Sequence, residues 1–232
     1  MIEVRNLVKN FGWKRVLRGL DFRVGRGESV AILGLNGTGK TTFLRILATL
    51  SRPSGGSVSM AGQAIPSQSI QVRRRIGVVL HQPLLYGDLT AEENLRYYAR
   101  MYDVQSGKTR IDEVLDLVGL EMQRRELVRK YSRGMQQRLA IGRALLHTPD
   151  VLLFDEPYTG LDTDAVIMLD AVLKDAVSQG RTLVMASHDL PHAAGLVSRI
   201  DILSKGRIAD SISCSEMPVG EMVLRYKAVT HG

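Results

Sequence analysis

Eight residues, Gly-Leu-Asn-Gly-Thr-Gly-Lys-Thr at 34–41, constrain the fold of this chain more than any other stretch. They follow a continuous apolar segment, Ser29–Leu33, which has the composition of a buried strand. They lead into Thr41–Leu50, where apolar residues recur at helical spacing. This order predicts a strand, a tight glycine-rich turn and a helix.

The turn fits the pattern G-x-x-x-x-G-K-[ST], which is typical of nucleotide binding. Glycines let consecutive backbone N–H groups surround a phosphate at a helix N-terminus, where a β-carbon would block the approach. Lys40 is predicted to reach the β- and γ-phosphates, and Thr41 to offer its hydroxyl to Mg²⁺. The alternative is a glycine turn with a fortuitous lysine, which the flanking strand and helix disfavour. The predicted ATP-binding residues here are Gly34, Asn36, Gly37, Thr38, Gly39, Lys40, Thr41 and Thr42.

A second apolar segment, Val151–Phe154, ends in two adjacent carboxylates, Asp155 and Glu156. The carboxyl ends of such strands line the ligand crevice of an open α/β sheet. Asp155 is therefore predicted to hold Mg²⁺, directly or through water. Glu156 is predicted to act as the catalytic base or to orient the attacking water. The alternative is that Asp-Glu-Pro merely ends a strand, and the presence of the glycine loop in the same chain disfavours it.

The rest of the chain predicts an α/β fold with a mostly parallel sheet. Short strands at Ile2–Val8 and Leu20–Val24, separated by turn residues, indicate an N-terminal antiparallel β lobe. After residue 148 the α/β alternation places helices on both faces of the sheet. The other predicted elements are strands Val58–Met60, Ile76–Leu80, Thr182–Ala186, Ile200–Leu203 and Arg207–Ala209, with helices Thr163–Gln179 and Leu190–Ser198.

Residues 84–147 are predicted to form an inserted helical unit, because they contain almost no strand pattern and several helix starts. Thr90 with Glu93, and Thr109 with Asp112, have the spacing of capping boxes. Each pair predicts the N-terminus of a helix.

Composition narrows the classes of protein further. Lys and Arg number 31 against 24 Asp and Glu, but aromatic residues make up only 5%. Since no basic stretch is interleaved with aromatics, no nucleic-acid partner is expected. No apolar run reaches the roughly 18–20 residues that span a bilayer, so a cytoplasmic chain is expected. The single cysteine, Cys214, agrees with a reducing compartment.

The glycine loop and the paired carboxylates together resemble the nucleotide-binding domain of an ABC transporter, over roughly residues 2–210. The resemblance implies a P-loop NTPase core of RecA-like type that binds ATP and Mg²⁺ and hydrolyses ATP. It implies a single ABC ATPase domain, 1–232. The expected parts are an α/β core with the β lobe (1–83 and 148–210), a helical subdomain (84–147) and a C-terminal tail (211–232).

Further residues match the family's elements in order. Phe11, or alternatively Trp13, matches the aromatic residue that stacks on adenine. Gln82 matches the glutamine whose side-chain oxygen meets Mg²⁺ or the lytic water, so the resemblance gives it both a metal-binding and a catalytic role. His188 matches the switch histidine that contacts the γ-phosphate. Lys40 and Glu156 complete the expected catalytic set.

The segment Ser132–Arg138 stands where the family has its signature, Leu-Ser-Gly-Gly-Gln. It keeps the serine and the second glycine, Ser132 and Gly134, which would present a hydroxyl and an N–H group to a γ-phosphate at the start of helix Met135–His147. A Ser N-cap on an ordinary helix is the alternative. The departures are Tyr131, Arg133 and Met135.

The stretch Gly160-Leu161-Asp162 resembles the loop that crosses between two cassettes, and Asp162 can also be the N-cap of helix Thr163–Gln179. In the family, the signature of one cassette closes the phosphate loop of another. The resemblance therefore implies a second ABC ATPase subunit as partner. It also implies integral membrane permease subunits, contacted through Pro83–Leu89, and a peripheral position on the inner face of the cell membrane.

Three stretches, 81–95, 132–138 and 155–162, are similar to ATP-binding subunits of haem exporters used in cytochrome c maturation. Export of haem is therefore the narrowest expectation. Drug, lipid or polysaccharide exporters and soluble, non-transport members of the family are the alternatives. The chain contains no Asn-Lys-x-Asp guanine reader, which disfavours a GTPase.

Overall fold

The fold is described from a computed structural model that covers residues 1–231, the side chain of His231 excepted. The strands are β1 Ile2–Phe11, β2 Lys14–Val24, β3 Ser29–Leu33, β4 Gly55–Met60, β5 Gln63–Ile65, β6 Ile76–Val79, β7 Val151–Asp155, β8 Thr182–Ala186, β9 Arg199–Ser204 and β10 Arg207–Ser213. The α-helices are α1 Lys40–Leu47, α2 Ser69–Arg73, α3 Ala91–Met101, α4 Gly107–Leu117, α5 Arg133–Leu145, α6 Thr163–Ser178, α7 Leu190–Ala194 and α8 Val219–His231. A short 3₁₀-helix spans Val128–Lys130.

Two sheets form the framework. The larger has the strand order β10-β9-β3-β8-β7-β6, in which β10 is antiparallel to β9 and the other neighbours are parallel. The smaller is antiparallel, with the order β2-β1-β4-β5. The predicted α/β fold with an N-terminal antiparallel β lobe is therefore confirmed.

The parallel sheet is buried on both faces, which explains why its strands read as continuous apolar runs. In β7, Leu152 and Phe154 pack into the core formed with α5 and α6, while Val151 and Leu153 pack into the core formed with α1 and the β lobe. Side chains alternate across a strand, so one pentapeptide serves both cores. The site described below lies at the carboxyl end of this doubly covered sheet.

The chain between β6 and β7 is helical, as predicted. Thr90 and Glu93 form a reciprocal capping box at the start of α3, in which the Glu93 N–H donates to the Thr90 hydroxyl at 3.2 Å and the Thr90 N–H donates to the Glu93 carboxylate at 2.8 Å. The capping box predicted at Thr109 and Asp112 is wrong. Helical hydrogen bonding already begins at the Ser106 carbonyl, so Thr109 lies inside the first turn of α4.

Other element boundaries differ from the sequence prediction for local reasons. β2 begins at Lys14, not Leu20. Its outward-facing basic residues hide the strand pattern in the sequence, but its backbone pairs with β1 along this stretch. α5 begins at Arg133, two residues before the predicted start. α7 ends at Ala194, earlier than predicted. The short elements β5 and α2 and the C-terminal helix α8 were not predicted.

Within residues 1–231, no helix has both the length and the apolar character required to cross a bilayer.

Candidate active site

The glycine loop, residues 34–41, joins β3 to α1, and at two of its glycines a side chain would collide with neighbouring atoms. A β-carbon at Gly34 would lie 2.3 Å from the carbonyl oxygen of Leu203, a distance that no side chain tolerates. Gly39, the N-cap of α1, adopts φ +113°, and a β-carbon there would lie 2.9 Å from Leu17 Cδ2. The loop is thus fixed between β9 and β2, and it delivers the N-terminus of α1 to the sheet edge.

Lys40 is the first residue of α1 and is buried. Its ammonium donates to the carbonyl oxygen of Gly34 at 2.6 Å. Burial lowers the pKa of Lys40, while the nearby carboxylates of Glu156 and Asp155 act in the opposite direction. The first turn of α1 contains no acidic residue to offset its positive dipole end. The loop therefore combines a fixed cation with free helix N–H groups, which is the arrangement that binds phosphate.

The topology gathers the other predicted catalytic residues beside this loop. β3, β8 and β7 are neighbours and parallel, so their carboxyl ends lie together. Asp155 ends β7 and pairs with Ala186, the last residue of β8. His188 follows two residues later. The sequence-predicted Asp155, Glu156 and His188 thus meet the glycine loop at one edge.

Asp155 is nearly fully buried, with 3% of its surface exposed. Burial raises the pKa of its carboxyl group, and a hydrogen bond from the Thr41 hydroxyl opposes that shift. Its Oδ1 atom is buried and has no hydrogen-bond partner among the described residues. An unpartnered buried carboxylate oxygen beside a threonine hydroxyl fits Mg²⁺, which takes one or two carboxylate ligands and substrate phosphates for the rest.

Glu156 and His188 are in direct contact, with 2.8 Å between Glu156 Oε2 and His188 Nδ1. Glu156 adopts φ +51°, a left-handed conformation that a non-glycine residue occupies at a cost of about 1–3 kcal/mol. Its N–H donates to the Ala186 carbonyl at 3.0 Å, which ties it to the end of β8. The surroundings therefore hold this carboxylate in one place, at the mouth of the crevice.

Gln82 is exposed in the loop after β6. A cavity of about 330 Å³ lies between this loop and the carboxylates of Asp155 and Glu156. It is lined by His81 and Pro83 of the loop and by Asp155 and Glu156, whereas Gln82 is not among its lining residues. His81 also acts electrostatically on Asp155. Sequence reasoning gave His81 no role, because only the folded loop turns it towards the carboxylates.

The signature segment begins α5 and contacts the segment after Glu156. Ser132 is the N-cap of α5, since its hydroxyl accepts from the Met135 N–H at 3.2 Å. A β-carbon at Gly134 would lie 2.9 Å from the carbonyl oxygen of Gly160, so only glycine fits there without a shift. The aliphatic part of Arg133 packs over Gly160.

Of the departures from the signature pattern, Tyr131 has a structural explanation. It is buried in the core of the helical insert and its hydroxyl donates to the Gln123 carbonyl at 2.7 Å. Burial raises the pKa of Tyr131 to about 12, so the hydroxyl remains a donor. The side chain faces inward and fills the place of an apolar residue.

Asp162 is the N-cap of α6, because its carboxylate accepts from the Ala165 N–H at 2.9 Å. This confirms one of the two roles predicted for Asp162. Phe11 lies at the end of β1, 54% exposed, with the ammonium of Lys9 4.8 Å from its ring centre. Trp13, in the turn that follows, is 97% exposed. Both aromatic rings are therefore accessible to a ligand.

Comparisons with known proteins agree with this geometry. A family model described as ABC transporter matches residues 17–159. The chain is 37% identical over 208 residues to a Nod factor export ATP-binding protein I of Burkholderia lata, covering 89% of this chain and 68% of that protein. It is 36% identical over 213 residues to the bacitracin transport ATP-binding protein BcrA of Bacillus licheniformis, covering 91% of this chain and 69% of that protein. The chain thus spans about two thirds of the length of these relatives.

A third relative is the linearmycin resistance ATP-binding protein LnrL of Bacillus subtilis, 33% identical over 90% of this chain and 68% of that protein. Among solved structures, a dimeric post-hydrolysis state of the ATP-binding cassette MJ0796 bound to ADP and Pi superposes with a TM-score of 0.85 at 28% identity, covering 92% of this chain and 99% of that one. The structure of an ATP-binding subunit of an ABC transporter superposes with a TM-score of 0.89 at 28% identity, covering 98% of this chain and 99% of that one.

Proposed function

The chain belongs to the ABC transporter family and is an ATPase, and on this premise we propose that it energises export through membrane-spanning permease subunits. One observation carries the hydrolytic part of the proposal. A buried lysine, a buried carboxylate whose Oδ1 has no partner within residues 1–231, and a glutamate in contact with a histidine converge at the ends of three neighbouring parallel strands.

In the proposed reaction, Glu156 accepts a proton from water as the water oxygen forms a bond to the γ-phosphorus. The bond between that phosphorus and the bridging oxygen of ADP breaks, which yields ADP and phosphate. Lys40 and the N–H groups of α1 balance the charge on the phosphate oxygens. His188 contacts the γ-phosphate, the role that its resemblance to the switch histidine implies, and through Nδ1 it keeps the carboxylate of Glu156 pointed at the water. A bound Mg²⁺, held by Asp155 and Thr41 with Gln82 as a further ligand, would neutralise charge on the β- and γ-phosphate oxygens.

The active unit is proposed to be a dimer with two ATP molecules between the subunits. Ser132 and Gly134 at the N-terminus of α5 would bind the γ-phosphate held by the other copy, and Asp162 would cross between the two. Phe11 is the proposed adenine platform, with Trp13 as the alternative. The MJ0796 cassettes that this chain resembles are dimeric, one of them bound to ADP and Pi, which supports a paired arrangement.

The cargo and location are proposed from the relatives. Their names refer to Nod factor export, bacitracin transport and linearmycin resistance, so we place this chain among exporters. Haem export for cytochrome c maturation is the narrower proposal from the sequence, and none of these three relatives is named for haem. We place the chain at the inner face of the membrane, with Pro83–Leu89 against the permease.

The export proposal is tested by reconstitution. The chain is combined in lipid vesicles with the permease encoded beside it, and ATP-dependent accumulation of haem, of bacitracin and of Nod factor is compared. Accumulation of one cargo, abolished by Glu156→Gln, supports export and identifies the substrate. ATP hydrolysis that is indifferent to every permease, together with recovery of the chain on ribosomes or DNA, would instead indicate a non-transport member of the family.

A further inference from the structure

The side chains of Tyr158, Asp170 and His192, which are outside the predicted site, form a hydrogen-bonded cluster. The Tyr158 hydroxyl donates to Asp170 Oδ1 at 2.7 Å. His192 Nε2 lies 3.0 Å from both carboxylate oxygens of Asp170. The rings of Tyr158 and His192 also pack together, with their centres 4.3 Å apart. Three elements distant in sequence are therefore joined through one carboxylate.

The chemistry of the cluster sets its hydrogen-bond directions. An ionised carboxylate only accepts, so Tyr158 and His192 must both donate to Asp170. Burial raises the pKa of Tyr158, and the hydrogen bond with Asp170 adds to that shift, so the hydroxyl stays protonated. The Asp170 and His192 side chains are only 26% and 27% exposed, which strengthens the contact relative to a surface pair.

The position of the cluster in the chain connects it to catalysis. Tyr158 lies two residues after Glu156, and His192 lies four residues after His188. His192 is in the first turn of α7, where its N–H donates to the Asp189 carboxylate at 3.0 Å. The cluster thus forms a second bridge between the two segments that already meet in the contact between Glu156 and His188.

The segment after Glu156 needs such support. Glu156 is held in a left-handed conformation, φ +51°, that an unrestrained glutamate would leave. From one side, Gln137 of α5 donates to the Pro157 carbonyl at 2.8 Å. On the other side, the next residue, Tyr158, is anchored to α6 by its hydrogen bond to Asp170. The strained residue is therefore clamped by the two residues that follow it.

From this arrangement we infer that Tyr158, Asp170 and His192 are positioning residues, which hold Glu156 and His188 in the geometry for water attack. The inference rests on the proposed hydrolytic mechanism. The hydrogen bonds and ring contact described for these three side chains do not involve the glycine loop, residues 34–41, so their loss should leave nucleotide affinity intact. Displacement of the carboxylate should instead slow the chemical step.

The test is the steady-state ATPase activity of Tyr158→Phe, which removes one hydroxyl and keeps the ring. We expect kcat to fall about tenfold with KM for ATP within about twofold, because small misplacements of catalytic groups are costly. His192→Ala should behave alike. His192→Gln should recover most of the activity, because its amide N–H can reach the place of Nε2 and donate to Asp170.

The matched control is Tyr102→Phe, which also removes a phenolic hydroxyl, here from a ring that stacks on His147 at the end of α3. It should keep the wild-type kcat. Thermal unfolding of every variant confirms folding at the assay temperature. The inference is overturned if Tyr158→Phe keeps the wild-type kcat, if its loss appears in KM, or if His192→Gln is as slow as His192→Ala. In each of those cases the hydrolytic mechanism would still stand, provided that the wild-type protein hydrolyses ATP and Glu156→Gln does not.

Discussion

At the scale of single residues, the carboxylate of Glu156 is the group whose removal tests the chemistry most directly. Glu156→Gln keeps the shape of the side chain and removes the proposed base. We expect kcat to fall by about 10²–10⁴-fold, the usual contribution of a positioned base, while ATP still binds. Phosphate release under saturating ATP measures the effect. Hydrolysis near the wild-type rate would show that another residue activates the water.

Substitution of Lys40 tests nucleotide binding instead of the chemical step. Lys40→Ala removes a buried ammonium at the proposed phosphate site, so ATP affinity should fall by about ten- to a hundredfold, the range for one charge-assisted hydrogen bond. Equilibrium titration with a fluorescent ATP analogue measures the dissociation constant. Lys174→Ala, an exposed lysine on α6, is the matched control and should bind as the wild type does. Unchanged affinity in Lys40→Ala would refute the assignment of the phosphate loop.

The sequence predicted where candidate residues lie when their position follows a local pattern. Lys40, Asp155 and Glu156 could be predicted because a glycine loop or a strand end places them within a few residues of their signal. His81 and the cluster around Asp170 could not, because their proximity to the site depends on how β6, α6 and α7 pack. A histidine or an aspartate carries no local signal of that packing.

At the scale of elements, the same distinction separates what could and could not be predicted. The buried strands β3, β7 and β8 were predicted with almost correct bounds because both faces are apolar. β2 was predicted six residues too short because its outward face is basic. The start of α4 was missed because Ser106 adopts a left-handed conformation, φ +53°, that composition does not indicate.

The packing of the helical insert on β6 contains a pH-sensitive contact. His147 follows α5, stacks on Tyr102 with ring centres 3.8 Å apart, and lies 3.1 Å from the Ile76 carbonyl through Nε2. Its Nδ1 is buried without a partner within the described part of the chain. Burial lowers the pKa of His147 from 6.5 to about 4, opposed by the Ile76 hydrogen bond, while Arg143 adds to the lowering.

This contact predicts a loss of stability on acidification. Between pH 6.5 and 4 the unfolded chain binds a proton at His147 more readily than the folded chain, so the free energy of unfolding falls as pH falls through this window. The full effect is about 3 kcal/mol, reached below pH 4. Urea unfolding of the wild type and of His147→Phe, which keeps the stack, measures it.

The two proteins in that comparison should differ in the pH dependence of unfolding, not only in stability. His147→Phe loses the Ile76 hydrogen bond at every pH, which shifts its whole curve by a constant amount. The wild type should lose more stability than the variant between pH 6.5 and 4, and both should change in parallel above pH 7. Parallel curves across the acidic range would show that His147 is not buried in its neutral form.

At the scale of the whole molecule, the two halves of the proposed γ-phosphate site are built on different elements of the chain. The phosphate loop and Glu156 sit at the ends of β3 and β7, whereas Ser132 and Gly134 begin α5 and already contact the chain's own Gly160 loop. A shift of the loop 157–162 that contains Gly160 would therefore act on both the signature segment and Glu156. This coupling would let ATP in one site influence the geometry of the other.

A dimer that depends on ATP is the prediction that follows. Glu156→Gln should remain loaded with ATP and so form a dimer at micromolar concentration, because each nucleotide would be bound by both subunits and neither is consumed. Sedimentation velocity with and without Mg²⁺ and ATP measures the change in mass. The control is Lys40→Ala combined with Glu156→Gln, which should stay monomeric because it binds the nucleotide weakly. A Glu156→Gln chain that is monomeric with saturating ATP, or dimeric without it, would contradict a site shared between two subunits.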